Sequence, residues 1–359
     1  MRNRHSSAER LGVVRSAVAA VLATLAVVPA ARTATITAVP VVPDAAFPAA
    51  FAIAPSGRIL YAELLTGRIH SVRPRTGAKR LVYVVPDVAA IGGQGLLGLA
   101  LPPGYPRVPY VYAYATRSVS GRVENQVLRI RVARGRGIAM RVLFRARTDV
   151  TFHAGGPLVY GPDGALYLAL GDAGVPAKAQ DRHDPHGKIV RLRPGRMPGA
   201  FASGIRNSFG LAFDPWSGRL WGTDNGPECN DELNRYDRGA NYGWGAAATC
   251  VSPPAAPANT NQDGPRPRHP LAWDAAPVAP TGVAFCRRCG LGPGREGRLF
   301  YGTFLTGQIR EVTLGRRRLA VRAQGIAYTH PSGVLAMTRG PRGRLYFSDE
   351  GAIYKLVLQ

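Results

Sequence analysis

The chain has 359 residues, 46% of them hydrophobic and 19% charged, with Gly 43 and Pro 30. Such a composition is too apolar for a disordered chain and too interrupted for a polytopic membrane protein. Lys+Arg 46 against Asp+Glu 22 give a formal net charge of +24, yet the arginines are dispersed and no nucleic-acid-binding module surrounds them, so no nucleic-acid partner is expected.

Residues 1–34 read as a secretory signal peptide. Arg2, Arg4, Arg10 and Arg15 make a positive start, residues 17–28 are apolar apart from Thr24, and Ala30, Ala31 and Ala34 supply small residues for cleavage. The apolar run is short for a ~30 Å hydrocarbon core, so removal is expected rather than a retained anchor. Residues 35–359 then form a single domain without a membrane span, secreted or held in the cell envelope.

Beyond the leader a motif recurs. Phe51-Ala-Ile-Ala-Pro-Ser-Gly-Arg-Ile-Leu-Tyr61, Leu158-Val-Tyr-Gly-Pro-Asp-Gly-Ala-Leu-Tyr167, Leu211-Ala-Phe-Asp-Pro-Trp-Ser-Gly-Arg-Leu-Trp221 and Val334-Leu-Ala-Met-Thr-Arg-Gly-Pro-Arg-Gly-Arg-Leu-Tyr346 are clear copies. Looser ones start at Leu99 and Val283. Each copy is a short apolar strand, a Pro/Asp/Gly turn and a second strand, with alternation that buries one face. One hairpin cannot bury that face alone, so neighbours must stack. Six copies predict an all-β chain closed as a six-bladed β-propeller, with long loops on the active-site face. A β-sandwich is the alternative, but it would not repeat one turn motif in this way.

Four cysteines in an exported chain fit two disulfides. Proximity favours Cys229–Cys250 and Cys286–Cys289; zinc or redox chemistry at Cys286-Arg-Arg-Cys289 is the rival. A structural zinc site needs a second close ligand pair, which the Cys229 and Cys250 spacing does not give. Gly292-Pro-Gly-Arg-Glu-Gly297 has the letters of a dinucleotide loop, but Pro293 lies inside it and a strand follows, so a turn is expected. Gly-x-Ser-x-Gly and His-Glu-x-x-His do not occur, which removes local support for a serine hydrolase or zinc protease. Asp172, Asp181 and Asp184, with His183 and His186, read as a surface loop rather than a calcium site.

The polar segments between copies are Gly93-Gln-Gly-Leu-Leu-Gly98, Phe152-His-Ala-Gly-Gly156, Gly204-Ile-Arg-Asn-Ser208, Thr223-Asp-Asn-Gly-Pro-Glu-Cys-Asn-Asp-Glu-Leu233 and Asn241-Tyr-Gly-Trp244. Their combination and order resemble the soluble glucose/sorbosone dehydrogenase family, the quinoprotein aldose sugar dehydrogenases, over residues 45–358. The resemblance implies a propeller that binds pyrroloquinoline quinone (PQQ) and Ca²⁺ and oxidises the anomeric hydroxyl of a small-molecule sugar to a lactone, passing electrons to an acceptor that the sequence does not name. It implies His153 as the base, since a neutral imidazole can accept the hydroxyl proton near pH 7. It implies Arg206, Asn207 and Gln94 as cofactor-binding residues, and Gly226 and Pro227 as carbonyl ligands of calcium.

Three departures stand out. Phe152 occupies the place of an aspartate found before the base in glucose-oxidising members. Gly302-Thr-Phe-Leu-Thr-Gly307 lacks their lysine, and Tyr328-Thr-His-Pro-Ser-Gly333 lacks their Arg-x-Arg, with His330 as the nearest polar substitute. Each missing cation removes a charge-assisted bond worth roughly 1.5–3 kcal/mol. A propeller that binds an envelope glycan or protein without catalysis is therefore the competing reading.

Overall fold

A computed structural model describes residues 34–250 and 257–359. Residues 1–33 of the expected signal peptide lie outside them. The strands from residue 36 onward pair into six four-stranded antiparallel sheets, five of them made from consecutive strands. The sixth joins the two ends of the ring: Ile36–Val42 pairs with Ile353–Leu358, with Ile36 opposite Leu358. The molecule is the six-bladed propeller that the repeats predict.

The innermost strands of successive blades are Pro48–Ile53, Leu96–Ala100, Leu158–Tyr160, Gly210–Phe213, Pro280–Phe285 and Ala336–Arg339. All six line one central cavity. In the hairpin turns that follow, Gly57, Gly164 and Gly218 hold φ of +81°, +71° and +67°. A side chain there would meet little or nothing, so these turns need glycine for its backbone freedom rather than for space.

Six apolar clusters fill the six seams between blades. Trp221 and Leu233 of the fourth blade pack on Val283, Phe285 and Leu299 of the fifth; Val42 and Ile353 of the sixth pack on Phe51 and Ile59 of the first. Each blade is thus covered on both faces. This corrects the expected one-sided alternation: Ile59–Glu63, Leu166–Leu170, Leu220–Asp224 and Leu299–Thr303 are buried at every position. Polar bonds also cross the seams. Thr223 Oγ1 donates to the Thr281 carbonyl (2.8 Å), Thr281 Oγ1 to Val334 (2.7 Å) and Ser348 Oγ to Pro48 (2.8 Å).

In such a meander, the segments entering each inner strand and those joining second to third strands emerge at the same end. That end is the site face. The other turns lie at the opposite end, and Arg316–Arg318 falls there in a turn between Gln308–Leu314 and Val321–Thr329. Gly292–Gly297 is a turn as expected, with a short 3₁₀ segment at Pro293–Arg295.

Candidate active site

His153 lies in the segment entering the third blade, before Leu158–Tyr160. Its backbone has φ +54°, a left-handed conformation rare for a residue with a side chain. Such conformations persist where surroundings enforce them. Here the enforcement is visible: Gly171 packs so closely that a Cβ on it would lie 2.1 Å from the His153 carbonyl oxygen.

The imidazole is 17% exposed and its Nδ1 lies 2.7 Å from Asp172 Oδ1. Asp172 is 0% exposed. Its carboxylate also accepts the Gly174 N–H (2.8 Å) and the Trp244 Nε1–H (2.8 Å). A carboxylate so surrounded by donors is an acceptor only, so the imidazole proton sits on Nδ1 and the lone pair is on Nε2. Asp172 was read from sequence as part of a surface loop. It is instead the buried orienter of His153, because it ends the strand path of Leu166–Leu170 at the site face. Of the rest of that loop, Asp181 and His183 are exposed as expected, Asp184 is half-buried and His186 is buried. Lys188 Nζ donates to the carbonyls of Lys178, Ala179 and His186 (2.8–3.0 Å), so an ammonium fills the carbonyl cage that a metal ion would need.

Arg206 and Asn207 enter the fourth blade together. The buried carboxylate of Asp224 accepts both of their backbone N–H groups, at 3.0 and 2.7 Å. Asn207 Oδ1 accepts the Gly155 N–H (3.2 Å), tying this segment to the His153 turn. The Arg206 guanidinium lies 5.4 Å from the centre of the Trp244 ring and donates through Nη1 to the Asn225 carbonyl (3.1 Å). Burial lowers its pKa, against the pull of Asp172, Asp224 and Asp231. Its Nε is buried without a hydrogen-bond partner among the described residues.

Gln94 is buried, and its amide donates to the Val150 carbonyl (2.8 Å). With the Gly93 N–H on the Thr151 carbonyl (2.7 Å), it braces the approach to His153. Gly226 and Pro227 are half-buried one step beyond the Arg206–Asn225 contact. The Gly226 N–H is held by Asp231 (2.8 Å), and a Cβ on Gly226 would lie 1.8 Å from the Cys229 carbonyl oxygen. Cys229 bonds to Cys250, and Cys286 to Cys289, the pairing that proximity favoured. The first bond pins the 226–230 loop to the far side of the Trp244 segment. Thus Gln94, His153, Arg206, Asn207 and Gly226 belong to one connected network, through Asp172, Trp244 and Asn225.

His330 does not join it. It is buried in the sixth blade, 2.9 Å from Asp349 and packed edge-on against Phe347. Phe152 is 48% exposed, with its ring edge-on to His153 at 4.9 Å. The mouth therefore carries an aromatic wall beside the imidazole where a carboxylate could have stood.

The fit to a polycarboxylate quinone rests on Arg206. A buried guanidinium edge with a free Nε–H matches a carboxylate or quinone oxygen, so one edge of such a group is provided for. For the metal, no cluster of three or more His, Cys, Asp or Glu suited to an ion occurs among the described residues. An ion here would rest on carbonyls, as hard calcium accepts.

Behind Arg206, Asp224 faces Glu232 across the ladder. Burial pushes these carboxyls up, to about 7 and about 8 respectively. The folded state therefore holds protons that the unfolded chain releases near pH 4. Their contribution is present at low pH and lost as pH rises through 7–8. The melting midpoint should fall between pH 5 and 9, and Glu232→Gln should flatten that fall; an unchanged slope in the variant would remove Glu232 as its source.

Comparison with known proteins gives a consistent result. The glucose/sorbosone dehydrogenase family model matches residues 45–357. Quinoprotein glucose dehydrogenase B of Acinetobacter calcoaceticus is 30% identical over 237 residues, 53% of this chain and 48% of that protein. Aldose sugar dehydrogenase YliI of Escherichia coli K12 is 32% identical over 216 residues, 55% of this chain and 58% of that protein. These alignments span about half the length of both relatives. Among solved structures, the PQQ-bound aldose sugar dehydrogenase of Streptomyces coelicolor is 26% identical with a TM-score of 0.75, covering 91% of this chain and 98% of that one. The apo soluble aldose sugar dehydrogenase of E. coli is also 26% identical, with a TM-score of 0.80 over 90% of this chain and 99% of that one. The chain belongs to the glucose/sorbosone dehydrogenase family.

Proposed function

We infer that this protein is a PQQ-dependent sugar dehydrogenase that converts the anomeric hydroxyl of an aldose to a lactone. The observation that carries this is the His153–Asp172 pair, which leaves Nε2 as a base and is linked through Trp244 to a guanidinium with a free buried edge. When bound, PQQ supplies a two-electron acceptor for the hydride on the anomeric carbon. His153 Nε2 takes the hydroxyl proton as that hydride leaves. Asp172 stabilises the imidazolium so formed and keeps the ring from turning. Arg206 would hold the cofactor edge and favour negative charge there. Asn207 and Gln94 brace the loop of the base and would line the cofactor edge. The carbonyls of Gly226 and Pro227 would hold Ca²⁺, which as a Lewis acid favours a quinone oxygen gaining charge. Phe152 gives the sugar an apolar face to lie on rather than a carboxylate to bond. In this reading residues 1–34 are a signal peptide removed on export.

The test is reconstitution of the exported protein with PQQ and Ca²⁺, followed by dye reduction across a panel of sugars. Turnover should need both additions. Arg206→Gln should raise the half-saturating PQQ concentration about tenfold or more, the loss of a bond worth roughly 1.5–3 kcal/mol. No turnover on any sugar, with no PQQ-dependent rise in melting midpoint, would replace the enzyme by a glycan- or protein-binding propeller.

A further inference from the structure

The arginines without a role in the site gather at the opposite end of the ring. Turns of the first and sixth blades present Arg58, Arg73, Arg75, Arg342 and Arg344 around one groove, with Lys355 beside them. No carboxylate lines it. Arg73, Arg75, Arg342 and Arg344 are exposed. None of the six cations is in a salt bridge among the described residues, whereas Arg191, Arg235 and Arg310 each pair with an aspartate. The acidic residues concentrate at the other end: Asp87, Asp172, Asp224, Asp231 and Asp349 all lie in site-face loops or at strand ends there. The ring is therefore polarised, with its cations facing away from the site mouth.

Two further features share the basic end. Apolar tips project from its turns, with Met197 90% and Trp216 43% exposed. The guanidiniums of Arg287 and Arg318 lie 5.7 and 4.6 Å from the Trp216 ring centre. The chain also enters here. Thr35 exchanges backbone hydrogen bonds with Gln359 at this end.

Cations interleaved with a tryptophan and a bare methionine match a bilayer interface: phosphates take guanidiniums in two-pronged bonds, and tryptophan favours headgroup depth. Readers of duplex DNA insert a helix or a strand pair into a groove, and this end offers only short turns. We propose that the basic end docks on the phosphate headgroups of an anionic lipid bilayer, holding the site mouth away from the membrane and open to solvent.

Each basic side chain at an anionic surface contributes about a fivefold gain in partitioning. The experiment is sedimentation of the purified exported protein with vesicles of phosphatidylcholine, with and without phosphatidylglycerol. Binding should require the anionic lipid and should vanish near 1 M salt, where the Debye length is about 3 Å. Arg73→Gln/Arg75→Gln/Arg342→Gln should weaken it on the order of a hundredfold, with melting midpoint and sugar oxidation unchanged. Equal binding to neutral vesicles, or undiminished binding by the triple variant, overturns the proposal. Tighter binding to a DNA duplex than to anionic vesicles overturns it in favour of a nucleic-acid surface. The result does not depend on whether the site oxidises sugar.

Discussion

His153→Ala is expected to lower kcat by two to four orders of magnitude, the usual worth of a positioned general base, with little change in the PQQ concentration needed for half-saturation. The argument is geometric. Nδ1 is committed to Asp172 at 2.7 Å, so Nε2 is the one ring nitrogen free to take a proton. The ring stands at a mouth walled by Phe152 and is 17% exposed, enough for a substrate hydroxyl to reach it. The substitution removes the imidazole without touching the bonds that set its loop: Gly93 N–H to Thr151, Gly155 N–H to Asn207 and Gln94 to Val150 all survive. The melting midpoint should therefore shift by only a few degrees. Single-turnover reduction of bound cofactor by sugar, followed by absorbance, measures the step directly. A variant that reduces cofactor within tenfold of the parent would show that another group takes the proton.

The fold was legible because propeller blades repeat. Six copies of one strand-turn-strand motif, each with glycine or proline at the turn, mark the innermost hairpins, and every copy falls in a separate blade. What the motif hid was the covering of each blade on both sides, since a single copy shows only its own alternation. The site was legible in part. Segments holding His153, Arg206-Asn207 and Gly226-Pro227 stand out as polar residues beside glycine, where loops meet a rigid scaffold. The residues that hold them in place were not, because their partners are distant in sequence. Asp172, Asp224 and Asp349 each follow or end a buried second strand, and each reaches back to the segment entering its own blade: to His153, to the N–H groups of Arg206 and Asn207, and to His330. Aligned on the motif, Leu166-Tyr, Leu220-Trp and Leu345-Tyr are each followed within a few residues by that aspartate. This recurrence was the available signal. Trp244 stood out within Asn241-Tyr-Gly-Trp244, but its partner did not: it arrives through the long 237–271 connection, and only the folded chain brings its indole to Asp172.

Asp172→Asn tests whether that carboxylate acts through the base. The native group accepts three hydrogen bonds and donates none. Asparagine has the same shape but one oxygen, whereas the Trp244 Nε1–H bonds one carboxylate oxygen and the Gly174 N–H shares the other with His153, and both are donors only. Where the oxygen goes to Trp244, the amide nitrogen faces His153 Nδ1 as a donor and the Gly174 N–H loses its acceptor. The imidazole responds by moving its proton to Nε2, and the base loses its lone pair at the mouth. A fall in kcat of up to about 10⁴ follows by analogy with the buried aspartate of a catalytic triad, with KM for sugar and the affinity for PQQ within a few-fold of the parent. Asp172→Glu restores an acceptor-only carboxylate and should recover part of the rate, which a merely structural role would not predict. Asp172→Ala is a poorer probe, since it leaves the Trp244 N–H and the Gly174 N–H buried without partners, each at a cost of about 1–3 kcal/mol. If the asparagine variant turns over sugar at the parental rate while His153→Ala does not, the imidazole is oriented by its left-handed backbone and the packing of Gly171 alone, and the carboxylate serves only to anchor Trp244.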